Sequence, residues 1–318
     1  MLLKKITDGK TVDISVMNKK ELNFLSYELE LGYARLIKNS QPFSQERLSI
    51  SKEGYAVIQQ ITKRICELEG IRIENKAFGL NKYDISLAKT IVKKVLNIKK
   101  RCVFFEAGVG SGKLIESLYD YFGANMEFAK IDGKPIAGCD FVVDKNFIKG
   151  NLSGLVYEGS IYDCMSKIED GAIDVFYWND VFEHIPEDEI DKHIELIKKK
   201  LAQDAFLITI TPNKLKGPSD VTMLFEPKGS IAKGFHFREY TFTEVIGVYK
   251  KHGFKEALGV WVGFYGFIRK RFQVSGHPKI ISALKKFVEK ICPIFPWIIR
   301  KLLLAFFACH VSVVTKTK

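Results

Sequence analysis

The sequence predicts an α/β fold: strands alternating with helices in an open sheet, preceded by a helical cap and interrupted by a helical pair before the last strand. Three observations carry this expectation. The apolar run Val103, Phe104, Phe105 passes through a glycine-rich turn into a stretch with apolar residues at helical spacing (Leu114, Ile115, Leu118, Tyr121, Phe122). The strongest strand pattern in the chain, Ile173 to Trp178, is likewise followed by a helical pattern. Residues 1–100, by contrast, show mainly helical periodicity.

Within that first segment, Thr11 to Met17 reads as a short strand. Residues 19–38 read as a helix through Leu22, Leu25 and Leu29, and Pro42 breaks the pattern. Ser51 is placed to cap a second helix ending at Gly70, and Asp84 or Ser86 to start a third. The whole is read as a cap, residues 1–100, over a core of residues 101–318.

The turn itself is Glu106-Ala107-Gly108-Val109-Gly110-Ser111-Gly112-Lys113. A phosphate-binding Walker loop needs a glycine where Ala107 stands and a hydroxyl where Leu114 stands, so it is rejected. A dinucleotide fingerprint needs its third glycine three residues after the second, whereas Gly112 comes two after Gly110. A structural turn that merely packs a helix on a strand stays open at this point.

Further along, Pro135 to Asp140 is the candidate second strand, ending in an acid; Asp132 and Asp144 are its rivals. If Asp140 is the acid, Asp132-Gly133 becomes the turn of an inserted hairpin. Residues 154–163 read as a third strand running into a loop at Ser160, Ile161 and Tyr162. Ile173 to Trp178 leads into Asn179-Asp180-Val181-Phe182-Glu183-His184-Ile185-Pro186, then a helix through Leu201 with Ile190, His193, Ile194 and Ile197 on one face. Phe206 to Thr211 is a fifth strand. Gly234 to Thr241 precedes a helix over 242–252, Ala257 to Phe264 a sixth strand, and Cys309 to Lys316 the last.

The acid-led triple-glycine turn and the later strand carrying Asn179 and Glu183-His184 resemble the signature of class I S-adenosylmethionine-dependent methyltransferases. Thr211-Pro212-Asn213 and Gly234-Phe235-His236-Phe237-Arg238-Glu239-Tyr240-Thr241 look like a bacterial small-molecule or glycan-pathway subset. The resemblance covers about residues 101–264 and the final strand. It implies a Rossmann-like, seven-stranded, mostly parallel sheet with an antiparallel last strand, and S-adenosyl-L-methionine as cofactor. It implies that Glu106, Gly108, Val109, Gly110 and Gly112 hold the methionine part, that Asp140 takes the ribose and that Phe141 beside it is a further cofactor contact. Ser160, Ile161 and Tyr162 would line the adenine, with Asn179 near the sulfonium. Ser160 departs from the family, where an Asp is common. His184, His236 and Glu239 are the candidate catalytic residues; His236 with Arg238 is alternatively an acid-binding pair. The acceptor expected is a small molecule, a sugar or a lipid-linked intermediate. A methyltransferase fold acting only as a binding protein is the competing class.

Composition narrows the rest. Net charge is +12, but eleven Lys or Arg and a single acid, Glu289, fall in residues 264–318, so the remainder is nearly neutral. That argues against a nucleic-acid binder, which would be basic along its length. So does Asn179-Asp180-Val181-Phe182 in the place of the amino-methylating Asn-Pro-Pro-Tyr. Six scattered cysteines without a C-x-x-C pair suit a reducing compartment, and no His or acidic group has metal-ligand spacing, so no metal is expected. Met1 to Lys5 opens no secretory apolar run, and a cytoplasmic location is expected. The basic, apolar insertion at about 272–307 suits either an anionic inner-membrane surface or packing on the core or a second subunit.

Overall fold

The protein is described by a computed structural model over residues 2–4, 9–71, 82–143, 150–260, 278–307 and 310–317. The rival acid Asp144, residues 261–264 of the expected sixth strand, residues 272–277 of the expected insertion and Cys309 lie outside these described residues. The chain forms two compact units.

One unit combines Met1–Gly79 with Glu183–Glu189 and Gly217–Arg238. A small antiparallel ribbon, β1 (Leu2–Lys4) and β2 (Thr11–Asp13), precedes helices α1 (Lys19–Asn39) and α2 (Gln45–Glu69). Asn18 and Glu21 form a reciprocal capping box that fixes the start of α1. Leu22, Leu25, Leu29, Tyr33 and Ile37 recur every three or four residues and pack on Ile61 and Ile65 of α2 and on Phe235 and Phe237. Helix α2 begins earlier than expected. Ser44 is its cap, accepting from the Arg47 backbone N–H at 3.1 Å, and Ser51 is buried inside the helix. Arg47 is buried and donates to Glu189 at 2.9 Å and to Asp188 at 2.8 Å, which fastens the 183–189 segment to the helices. A charge this deep is tolerated because its partners are also carboxylates held in place.

The other unit combines Leu80–Phe182, Ile190–Lys216 and Glu239–Lys318. It contains the sheet, a mixed α/β arrangement of mostly parallel strands with helices around it. Helix α3 (Lys82–Leu96) belongs here and not to a cap ending at residue 100. Its Leu87, Ala88, Ile91, Val92 and Val95 are buried with Phe104, Leu114, Leu118, Ile208 and Ile210. The strip of apolar residues on α3 is thus satisfied by the sheet, which is why the boundary falls before this helix and not after it.

Strand β3 (Cys102–Ala107) lies at the centre and leads into α4 (Lys113–Phe122). On one side it pairs in parallel with β8 (Ile173–Asn179), then β9 (Leu201–Pro212) follows in parallel. Beyond β9, β11 (His310–Lys316) is antiparallel to it, and β10 (Glu256–Gly259) is antiparallel to β11 at the edge. On the other side the neighbouring position is shared. β4 (Met126–Ile131) pairs with Cys102–Phe104, and β6 (Gly138–Asp140) pairs with Glu106–Ala107. Between them β5 (Lys134–Ile136) folds back on β4, and β7 (Val156–Glu158) lies beyond β6.

Among the described residues the sheet therefore has nine strands where seven were expected. The difference is the hairpin that splits the second position. Asp132 and Gly133 both have positive φ, 49° and 77°, and form the two-residue turn that joins two right-twisted strands most readily. The fifth strand starts earlier than expected, at Leu201, with helix α6 (Ile190–Lys200) ending one residue before it. Helix α5 (Ile161–Lys167) replaces the expected loop after β7.

Helix α7 (Phe242–Lys251) starts at a Thr241–Glu244 capping box. Helices α8 (Pro278–Ile291) and α9 (Trp297–Phe307) form the inserted pair before β11. Val288, Cys292 and Leu304 of the pair are buried together, so its inner side is packed. No helix among the described residues is long and apolar enough to cross a membrane.

Candidate cofactor site and histidine cluster

The carboxyl ends of β3, β6, β7 and β8 bring most of the expected cofactor residues into one unit. The connection after β3 is held to β6 by its backbone. Gly108 and Val109 N–H groups both donate to the Cys139 carbonyl, at 2.9 and 3.3 Å. Gly110 N–H donates to Asp140 Oδ2 at 2.8 Å. Asp140, at the end of β6, is thus tied to the glycine turn, while Asp132 occupies the hairpin turn.

Two glycines are demanded by space. Gly108 has φ of 72°, and a Cβ there would stand 2.4 Å from Val181 Cγ2. A Cβ at Gly138 would stand 2.1 Å from the Glu106 carbonyl oxygen, so the strands could not approach as they do. Val181, quoted in the motif after Trp178 without a role of its own, therefore sits over the turn. Its role depends on the fold of the segment after β8.

Glu106 is the last acid of β3 and is buried. Among the described residues its Oε2 has no hydrogen-bond partner. Burial, and then the nearby Asp140 charge, push its carboxyl well above the usual range. Burial also raises Asp140, against the opposing pull of the Gly110, Val142 and Phe141 backbone N–H groups. The buried Glu106 carboxylate with its orphan oxygen, beside the half-buried Asp140, forms a site whose electrostatics call for a cation. The donor set fits an ammonium: an anionic acceptor at the glycine turn, with backbone closely packed around it.

The structure alters the reading of Ser160. Its Oγ accepts from the Asp163 N–H at 3.0 Å and caps α5. Ile161 and Tyr162 are in the first turn of that helix and half-buried. The Ser160 side chain is thus engaged in capping α5. Phe141 is half-buried directly after Asp140. Asn179 ends β8, half-buried, followed by Asp180 in the left-handed region at φ of 52°.

The candidate catalytic residues divide between the units. Glu239 belongs to the sheet unit and is buried. His184 and His236 belong to the other unit, and their rings meet edge to face with centroids 4.7 Å apart. Glu183-His184 sits on a short 3₁₀ turn, Phe182–His184, and not on a long helix; Pro186 follows and disfavours helix before it. Tyr55 OH lies 3.1 Å from His184 Nδ1. Burial, and then the neighbouring His236, hold the His184 imidazolium well below the ordinary histidine range; a backbone hydrogen bond with Phe235 opposes this. His184 is therefore a neutral imidazole at neutral pH. Arg238 is partly exposed and donates from Nη1 to Glu187 at 2.7 Å.

Glu183 was quoted in the sequence motif without a role. It is fully buried, and each of Glu183, His184 and His236 offers a ligand atom within 4.8 Å of the others. Two imidazoles and a carboxylate are a recognised donor set for a divalent cation, in contrast with the expectation from spacing that no such group exists. Sequence spacing misses the cluster because His236 lies in a distant segment. Nearby in the same unit, Glu30 is buried beside Asp220, and its carboxyl is pushed up to about 7, chiefly by burial.

No protein-family model matches the sequence, and no curated protein sequence matches it. Similar solved structures do exist. A SAM-dependent methyltransferase from Archaeoglobus fulgidus is 15% identical, with 73% of this chain and 94% of that one covered and a TM-score of 0.44. The DszA carbon methyltransferase is 9% identical, with 94% and 69% covered and a TM-score of 0.48. A putative O-methyltransferase from Nostoc punctiforme PCC 73102 is 12% identical, with 93% and 69% covered and a TM-score of 0.46. These likenesses are distant, and this chain's own residues carry the reading that follows.

Proposed function

We propose that the chain is an S-adenosyl-L-methionine-dependent methyltransferase acting on a small molecule, a sugar or a lipid-linked intermediate. The observation that carries the reading is the buried Glu106 carboxylate, with an orphan Oε2, at the head of a glycine turn whose Gly110 N–H is tied to Asp140. When bound, the cofactor supplies an electrophilic methyl group on a good leaving group, so the protein's task is chiefly orientation and exclusion of water.

Glu106 accepts from the amino-acid ammonium. Gly108, Val109, Gly110 and Gly112 let the backbone close on the methionine portion. Asp140, which has carboxylate lone pairs beyond its backbone bonds, accepts the ribose hydroxyls. Phe141, Ile161 and Tyr162 flank the adenine, with Ser160 holding the start of α5 and Asn179 facing the methyl-bearing end. His184 and His236 are assigned to the acceptor, His184 as the group that takes its proton; Glu239 is a further candidate acid or base. The neutral state of His184 suits proton acceptance, while its depressed basicity limits it to acceptors that are already fairly acidic.

Calorimetric titration of the full chain with S-adenosylmethionine and S-adenosylhomocysteine tests this reading, with ATP and NADH as competing nucleotides. Saturable binding of the first two alone is expected. No heat at millimolar S-adenosylhomocysteine would remove the proposal. Ser160, standing where the resembled family commonly has an Asp, favours one rival: a methyltransferase-like fold that binds partners without catalysis. Cofactor binding with release of S-adenosylhomocysteine separates the two.

A further inference from the structure

The inserted helical pair has two unlike sides. On the inner side, α8 is fastened to the sheet unit at several points. Glu289, the only acid between residues 264 and 318, is buried. It accepts from the backbone N–H of Phe242 and, at 3.0 and 2.7 Å, from the Thr243 N–H and hydroxyl. This places its charge at the positive end of α7. Lys285 is also buried, with its Nζ 5.4 Å from the Phe242 ring centre, and Ser282 Oγ accepts from Gly259 N–H at 2.8 Å.

The outer side has the opposite character. Ile280, Phe287, Ile294, Ile298 and Leu302 are 56–78% exposed. Ile280, Phe287 and Ile294 recur every seventh residue, and Ile298 and Leu302 are one helical turn apart. Scattered exposed apolar residues need no explanation, but large ones repeated along two consecutive helices do. Lys279, Lys286 and Lys290 of α8 are exposed among them. With Glu289 turned inward, α8 shows no acid on this side, so its exposed charge is all of one sign.

We propose that the outer face of α8 and α9 is a docking surface for an anionic lipid bilayer, with the lysines at the headgroups and the isoleucine, phenylalanine and leucine side chains in the interface. The charge decides the occupant. An apolar face built for a second copy of this chain would bring like-charged lysines toward one another, whereas anionic headgroups neutralise them. The helices are too short to span, so the contact is peripheral. This inference does not rest on methyl transfer; it stands or falls on the surface alone.

The test is co-sedimentation of the full chain with phosphatidylcholine vesicles with and without phosphatidylglycerol, at low and at high salt. The comparison is with Phe287→Glu/Ile298→Glu and with Lys286→Glu/Lys290→Glu. Circular dichroism and thermal melting confirm that the variants are folded. The expected result is pelleting only with phosphatidylglycerol, weakened by salt and reduced at least about ten-fold in either double variant, since both apolar insertion and charge contribute. Failure of the wild-type chain to pellet with anionic vesicles at low salt overturns the proposal. So does unchanged pelleting of folded variants. A wild-type dimer that the apolar double variant converts to monomer also overturns it, because a second copy would then cover the face.

Discussion

Replacing Glu106 with Gln separates a functional carboxylate from a structural one, because the two roles predict opposite signs. The carboxyl is buried, has an oxygen with no partner among the described residues and lies near Asp140, and its proton affinity is raised by both burial and that charge. Keeping it ionised in the absence of a cation therefore costs stability. Glu106→Gln removes that cost while keeping the shape, so the ligand-free protein should melt at a higher temperature than wild type near neutral pH. Cofactor affinity should move the other way. A hydrogen bond to a charged group contributes about 1.5–3 kcal/mol, and about 1.4 kcal/mol is a factor of ten. S-adenosylhomocysteine should therefore bind the variant roughly ten- to a hundred-fold more weakly. Differential scanning fluorimetry without ligand and calorimetry with it read the two effects separately. A folded variant that binds within two-fold of wild type, or one less stable without ligand, refutes the ammonium-holding role.

Four other outcomes follow from the geometry. Gly108→Ala should destabilise the protein and weaken cofactor binding: a left-handed alanine costs about 1–2 kcal/mol, and contact with Val181 adds about 1–3 kcal/mol. Adding Val181→Ala should recover only the contact share in chemical denaturation. Asp140→Ala should weaken the adenosine-bearing cofactor and increase amide exchange at Gly110, which loses its 2.8 Å acceptor. Glu30, with its carboxyl raised from 4.5 to about 7, stabilises the fold fully below the unfolded value and loses that stabilisation as pH rises through 7. Glu30→Gln should flatten denaturation free energy over this window, by at most about 3 kcal/mol at about 1.4 per pH unit. Finally, if His184 takes the acceptor's proton, the acidic limb of methyl transfer should lie below the ordinary histidine value of about 6.5 and vanish in His184→Asn, as a pH–rate profile would show.

What was legible in the sequence was local. The strand–turn–helix from Cys102 to Phe122 follows from apolar periodicity broken by glycines, and the Asp132-Gly133 hairpin from a two-residue turn that tolerates positive φ. Asp140 was preferred to Asp132 because the spacing of the later elements then works, and the hairpin at Asp132-Gly133 followed from that choice. What was not legible depended on distant segments. Helix α3 looks like its predecessors in pattern, and only the sheet's apolar face decides which unit it joins. Residues 183–189 and 217–238 leave the sheet unit's sequence and join the helices of the first unit; Arg47 meets Asp188 and Glu189 only after folding. The Glu183–His184–His236 cluster has the same origin, and so does Val181 over Gly108. Ser160 was readable as a departure from the family, but not as a helix cap, because a Ser between Gly159 and Ile161 fits either a loop or a helix start.

The most direct measurement is a crystal structure of the full chain with S-adenosylhomocysteine. The expected result is the amino-acid ammonium about 3 Å from Glu106 Oε2, with the ribose hydroxyls on Asp140 and the adenine beside Ile161. A ligand bound elsewhere, or one bound over the glycine turn with its ammonium away from Glu106, would contradict the assignment of this site to a methyl donor.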